Sequence, residues 1–143
     1  MTPQEVFNQE MINTINIALA SSVDNEPNVR IVSFAFDENK PGTIYFSTHA
    51  MTEKVKEFAQ NEKVAVVLLP NQGNADNSVR FKGHVKKSEL PIADFSQMIV
   101  KKLPQMAPMF ENANPEELFI YEINYPAAVV TIGMNPPEIV KFD

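Results

Sequence analysis

Thr43-Ile44-Tyr45-Phe46-Ser47-Thr48-His49-Ala50-Met51-Thr52-Glu53-Lys54-Val55-Lys56-Glu57-Phe58 decides the reading of this chain. An apolar strand, Thr43 to Ser47, runs into two hydroxyl residues, Ser47 and Thr48. A short connection follows. A helix then opens on Thr52 and carries Lys54 in its first turn. Hydroxyls, free helix N–H groups and one ammonium converge, which is what a phosphate monoester requires. The plainer reading stays open: Thr52 caps the helix and Lys54 is solvated.

Upstream, Val29-Arg30-Ile31-Val32-Ser33-Phe34 reads as a strand. Alternation puts Arg30 on one face with Val32, Phe34 and Phe36. An arginine on an otherwise apolar face needs a partner, either a carboxylate or, bidentately, a phosphate. Only Arg30 and Arg80 are available as arginines.

The 143 residues, 44% of them hydrophobic, suit one domain with a real core. No apolar run spans a bilayer, and Met1 to Glu5 lacks the pattern of a signal peptide. Without cysteine there is neither disulfide nor thiolate metal site. A cytoplasmic protein is expected. The net charge of −6 disfavours nucleic acid and anionic membranes as partners. Two histidines, His49 and His84, make a zinc site improbable.

Thr2-Pro3-Gln4-Glu5 predicts a capped helix over Pro3 to Asn13. Strands are expected over Ile15–Val23, Val29–Phe36 and Thr43–Ser47, separated by turns at Asp24–Pro27 and Asp37–Gly42. Three strands in meander order imply an antiparallel sheet. A helix over Thr52–Gln60 follows. Val64–Leu69 is next, a continuous apolar strand of the kind buried on both faces. Pro70–Asn77 reads as a polar loop. Val79–Val85 alternates, with Arg80, Lys82, His84 and Lys86 forming a solvated stripe. A second helix spans Pro91–Leu103, and Pro104–Pro115 is irregular with one helical turn near Pro108. Leu118–Ile123 and Ala127–Ile132 are further strands, and Glu138–Asp143 is a candidate edge strand. Six or seven strands with short helices favour a mainly β, closed or nearly closed barrel with helices at its ends.

Arg30-Ile31-Val32-Ser33, Tyr45-Phe46-Ser47-Thr48 and Thr52-Glu53-Lys54, in this order and with these gaps, resemble the flavin-binding segments of the pyridoxamine 5′-phosphate oxidase-like family. The opening Ile17-Ala18-Leu19-Ala20-Ser21-Ser22 before Asp24-Asn25-Glu26-Pro27 fits too. The resemblance covers about Ile15 to Lys87. It implies a split β-barrel with a Greek-key-like antiparallel sheet, homodimeric, with FMN at the interface. Arg30 and Lys54 would then bind the FMN phosphate. Val32 and Ser33 would lie against the isoalloxazine, Ser47 and Thr48 would bond phosphate or ribityl, and Thr52 with the Glu53 amide would complete the anion nest. A polar contact from the second subunit would fall on Ser78 or Asn77.

The chain departs from the oxidase proper. Ala35 replaces a lysine and Glu53 a basic residue, and no arginine follows Arg80 and no histidine follows His84. The site for a pyridoxamine-phosphate substrate is missing. The implied activity is flavin-mediated hydride or electron transfer from NAD(P)H to a small acceptor, with no catalytic side chain of its own. The alternatives are a flavin-binding or stress-related protein without turnover, a haem-binding split barrel served by His49 or His84, and a deazaflavin-binding relative.

Overall fold

The computed structural model describes residues 1–70 and 76–142. Helix α1 (Pro3–Asn13) begins with the expected capping box. The Glu5 amide donates to Thr2 Oγ1 at 3.1 Å, and the Thr2 amide donates to Glu5 Oε1 at 3.0 Å. Val6, Phe7 and Met11 on its apolar side are buried.

Strands β1 (Asn16–Val23) and β2 (Glu26–Ser33) form a tight hairpin. Asp24 and Asn25 both adopt positive φ, 52° and 62°. Such a two-residue turn matches the strand twist. For this reason β2 begins at Glu26, three residues before the sequence suggests. Pro27 is tolerated because β2 ends the sheet path.

Strand β3 (Thr43–His49) does not continue a meander. Its pairing with the segment just after β2 is a single bridge, Ala35–Tyr45, and it pairs along its length with β6 (Leu118–Asn124). The nine-residue connection, 34–42, fixes that β3 turns back but not which edge it joins. Helix α2 (Glu53–Gln60) and β4 (Lys63–Leu68) follow. In β4, Val64, Val66 and Leu68 are buried while Ala65 and Val67 are half-buried, so only one face enters the core. The apolar alternates belong to an outer apolar surface, described below.

The long strand β5 (Asn77–Lys87) splits the barrel. Its first half pairs with β7 (Ala127–Ile132) and its second half with β6. Gly83 stands at the divide, where a Cβ would lie 2.4 Å from the Asn124 carbonyl oxygen, so no side chain fits. The strand order is β2-β1-β4-β5-β6-β3, closed by the Ala35–Tyr45 bridge, with β8 (Glu138–Lys141) paired to β7. These eight described strands make a split β-barrel, mainly antiparallel β.

Ile17, Leu19, Phe46, Val66, Phe81 and Ile123 are among the side chains filling the barrel. A second core forms where α3 (Ile92–Lys102) and α4 (Ala107–Phe110) cover the outer face of β3 and β6, through Phe95, Ile99 and Phe110 against Tyr45 and Ile120. Met98 and Met106 pack there, whereas Met109 is exposed. No helix among the described residues is long and apolar enough to cross a membrane.

Candidate functional site

The hairpin register places Arg30 opposite Leu19, and Asn28 opposite Ser21. Leu19 and Ser21 are buried on the inner face, so Arg30 points inward with them. Helix α2 lies over this end of the hairpin and contributes Lys54, Glu57 and Phe58. Arg30 already has partners there. Its Nη1 donates to Ser21 Oγ at 2.9 Å and to the Leu19 carbonyl at 3.3 Å, and its Nη2 pairs with Glu57 Oε2. The guanidinium carbon is 5.9 Å from the Phe58 ring centre. Of the two partners the sequence leaves open for Arg30, a carboxylate is present.

Glu57 is held by three donors. Asn28 Nδ2 reaches Oε1 at 2.9 Å, and Ser21 Oγ and Arg30 reach Oε2, the serine at 3.1 Å. The Asn28 and Ser21 hydrogen bonds and the Arg30 charge hold its carboxyl below the usual pKa, against partial burial. The Arg30 and Glu57 side chains are only 18% and 17% exposed, so the pair is a built element rather than a surface contact.

Lys54 is different. It is half-buried and makes no hydrogen bond or ion pair among the described residues. Burial lowers its pKa, the Arg30 charge lowers it further, and Glu57 opposes both. Lys54 lies three residues before Glu57 on α2, next to the Arg30–Glu57 pair on the same helix face. Folding thus brings the helix that carries Lys54 onto Arg30, which is already paired with a carboxylate of that helix that the sequence reading did not anticipate.

The start of α2 is uncapped. Thr52 occupies the N-cap position, but its side chain accepts no amide. It donates instead to the His49 carbonyl at 3.1 Å, so Thr48 Oγ1, 3.1 Å from Thr52 Oγ1, is the donor of that pair. The expected Thr52 cap is absent because its hydroxyl closes the preceding turn. The Glu53 and Lys54 amides have no acceptor among the described residues, while Val55 bonds the Thr52 carbonyl at 3.3 Å. The Glu53 side chain faces solvent and meets Lys56 at 3.5 Å. Ser47 is half-buried, with its hydroxyl unengaged among the described residues. Ser47 alternates with Phe46 and Thr48 and pairs with Ile120, which puts it on the face of β3 that α3 and α4 cover, so the donors left for an anion at α2 are the two amides and the Lys54 ammonium.

Val32 is half-buried at the barrel wall, and Ser33 donates to Asn16 Oδ1 at 2.8 Å. Ser78 is exposed on β5 opposite Thr131, on the half of that strand that pairs with β7, and is not part of the Arg30 cluster. Residues 71–75 of the expected Pro70–Asn77 loop, and Asp143 of the expected edge strand, lie outside the described residues. Ser21, Asn28 and Glu57 are the members that sequence reasoning missed. The available signal was the Lys54-x-x-Glu57 spacing, which sets both side chains on one helix face.

A family model described as pyridoxamine 5′-phosphate oxidase-like matches residues 11–136. The chain belongs to this family. Solved structures agree on the family's fold. A protein of Clostridium acetobutylicum, related to a Bacillus subtilis general stress protein and placed in the pyridoxinephosphate oxidase family, superposes with a TM-score of 0.71 at 12% identity, over all of this chain and 98% of that one. A FAD-binding protein of Mesorhizobium loti gives 0.67 at 16%, covering 91% and 94%. A haem-binding protein of Mycobacterium smegmatis gives 0.78 at 11%, with 99% of this family member spanning 58% of that longer chain. No match by sequence was found among proteins with curated descriptions.

Proposed function

We propose that this protein is a homodimeric flavoprotein that holds FMN by its phosphate at the start of α2 and passes hydride or electrons from NAD(P)H to a small acceptor. One observation carries the reading: Lys54 is half-buried without a partner beside an uncapped helix start. The Lys54 ammonium and the Glu53 and Lys54 amides supply donors, and the helix dipole adds partial positive charge. Thr48 and Thr52 fix the turn that aims these amides. Arg30 fits less directly. It secures Glu57 and lends its field to Lys54, and reaches a phosphate only if Glu57 moves. Val32 and Ser33 offer the wall for a ring.

Flavin, when bound, supplies the two-electron chemistry, and the protein supplies position and access. A second copy is proposed to cover the outer face of β1, β2, β4, β5, β7 and β8. Val29, Ile31 and Ile139 are 63%, 65% and 64% exposed there. Val29 and Ile139 border a 560 Å³ cavity also lined by Ala65, Arg80 and Lys82. An apolar surface of this kind marks an interaction site, and Ser78 or Asn77 would reach the flavin from the second copy.

Haem binding is the rival reading. It would take its ligand from His49 or His84, both of which are exposed. The absorbance spectrum of the protein incubated with FMN and, separately, haemin tests the proposal. Flavin bands that co-elute with the protein and bleach on adding NADH or NADPH are expected. Retention of a Soret band alone would overturn it, and bound flavin that does not bleach would leave a carrier or sensor.

A further inference from the structure

The site contains one more charge than an anion site needs. Arg30 and Lys54 contribute two positive charges and Glu57 removes one. Glu57 is not an incidental neighbour, because Asn28, Ser21 and Arg30 together satisfy both of its oxygens in a position 17% exposed. It lies three residues after Lys54 on α2 and acts electrostatically on that ammonium. A phosphate seated against Lys54 and the α2 amides must therefore form within reach of a fixed carboxylate.

Resting on the reading of this site as a phosphate site, we infer that Glu57 sets its charge specificity: it neutralises Arg30 and penalises the second negative charge of a terminal phosphomonoester. The site then favours a singly charged phosphoryl group, such as the monoanionic form of a monoester or the diester linkage of a dinucleotide. A terminal phosphate carries between one and two charges near neutral pH, its second ionisation lying near pH 6. A diester phosphate carries one. At partly buried positions the repulsion between like charges a few ångströms apart is large enough to decide between them. Releasing Arg30 to a dianion would require Glu57 to leave three donors at once.

The test measures what the phosphate adds, as the ratio of riboflavin to FMN dissociation constants, in wild type, Glu57→Gln and Lys54→Met. Glutamine keeps the size and an acceptor for Asn28 but frees the Arg30 charge. At about pH 8, where FMN is dianionic, E57Q should raise the ratio roughly 10-fold or more. At about pH 5.5, where FMN is largely monoanionic and Glu57 is still ionised, the gain should be several-fold smaller. A structural role for Glu57 would not produce that pH dependence. K54M should lower the ratio roughly 10-fold or more, because Arg30 is already neutralised and only the α2 amides remain. An unchanged or lowered ratio in E57Q, or a ratio retained in K54M, overturns the proposal.

Inorganic phosphate, followed on the Glu53 and Lys54 amide resonances, separates this proposal from the flavin reading. If phosphate binds more tightly to E57Q than to wild type while neither binds flavin, the flavin reading fails and the charge rule for Glu57 stands. If flavin binds but E57Q gives no stronger phosphate response, the charge rule fails.

Discussion

Replacing Gly83 with alanine tests the point at which the barrel divides. The added Cβ would sit 2.4 Å from the Asn124 carbonyl oxygen, and 3.1 Å from both the Asn124 carbonyl carbon and Tyr125 Cβ. A Cβ does not approach another heavy atom closer than 3.0 Å, so β5 and β6 must separate by at least about 0.6 Å. Backbone cannot rotate away as a side chain can. The shift would pass into the His84–Asn124 and Val85–Ile123 pairs and into the Phe81–Tyr125 stack, whose ring centres are 3.7 Å apart. Overpacking of this kind costs about 2–3 kcal/mol. For a chain of this length, each kcal/mol lowers Tm by about 2–4 °C, giving a fall of roughly 4–12 °C. Urea denaturation followed by circular dichroism measures the loss, with an unchanged slope showing that the fold persists. A variant within about 0.5 kcal/mol of wild type would refute the close crossing of β5 and β6.

Three further predictions test separate parts of the structure. Lys102 Nζ donates to the Met11 and Thr14 carbonyls at 2.9 and 2.8 Å, 3.6 Å from the Phe34 ring centre, and burial lowers its pKa to about 7. The unfolded value is about 10.4. Between the two the unfolded chain holds the proton and the folded one does not, so stability rises with pH from about 7 to 10. Relative to Lys102→Met, wild type should gain about 1–3 kcal/mol over that window, and parallel pH profiles would contradict this. Thr52→Asp places an acceptor beside the free α2 amides. It should stabilise the protein by about 0.5–1 kcal/mol in thermal melts while weakening FMN in titration. Ile31→Asp puts a charge on the exposed apolar face and should yield a folded monomer by light scattering, whereas an unaltered dimer would move the contact elsewhere.

Much of the fold was legible where local chemistry is self-sufficient. Thr2 and Glu5 bracket α1 whatever the rest of the chain does, and the apolar run from Ala127 bounded by Gly133 gives β7 residue for residue. What failed depends on distant partners. Asp24 and Asn25 reach positive φ in a tight turn, which moved β2 to earlier residues. The edge joined by β3 is decided by β6, some 75 residues later, and no local signal encodes it. At the site, Arg30 was read correctly as facing the barrel and needing a partner. That its partner is Glu57 follows from where α2 packs, and a carboxylate on a polar helix looks like any solvated glutamate. Thr52 shows the same limit, since a threonine before a helix predicts a cap, while its hydroxyl serves the preceding turn instead.

The account stands or falls on Lys54. Titration of FMN and riboflavin into wild type and Lys54→Ala separates phosphate from ring in one experiment. Removing the ammonium should weaken FMN by about 1.5–3 kcal/mol, roughly 10- to 150-fold, as befits a charge-assisted hydrogen bond, and leave riboflavin unchanged. Equal losses for both ligands, or none for either, would show that no phosphate is held at the start of α2.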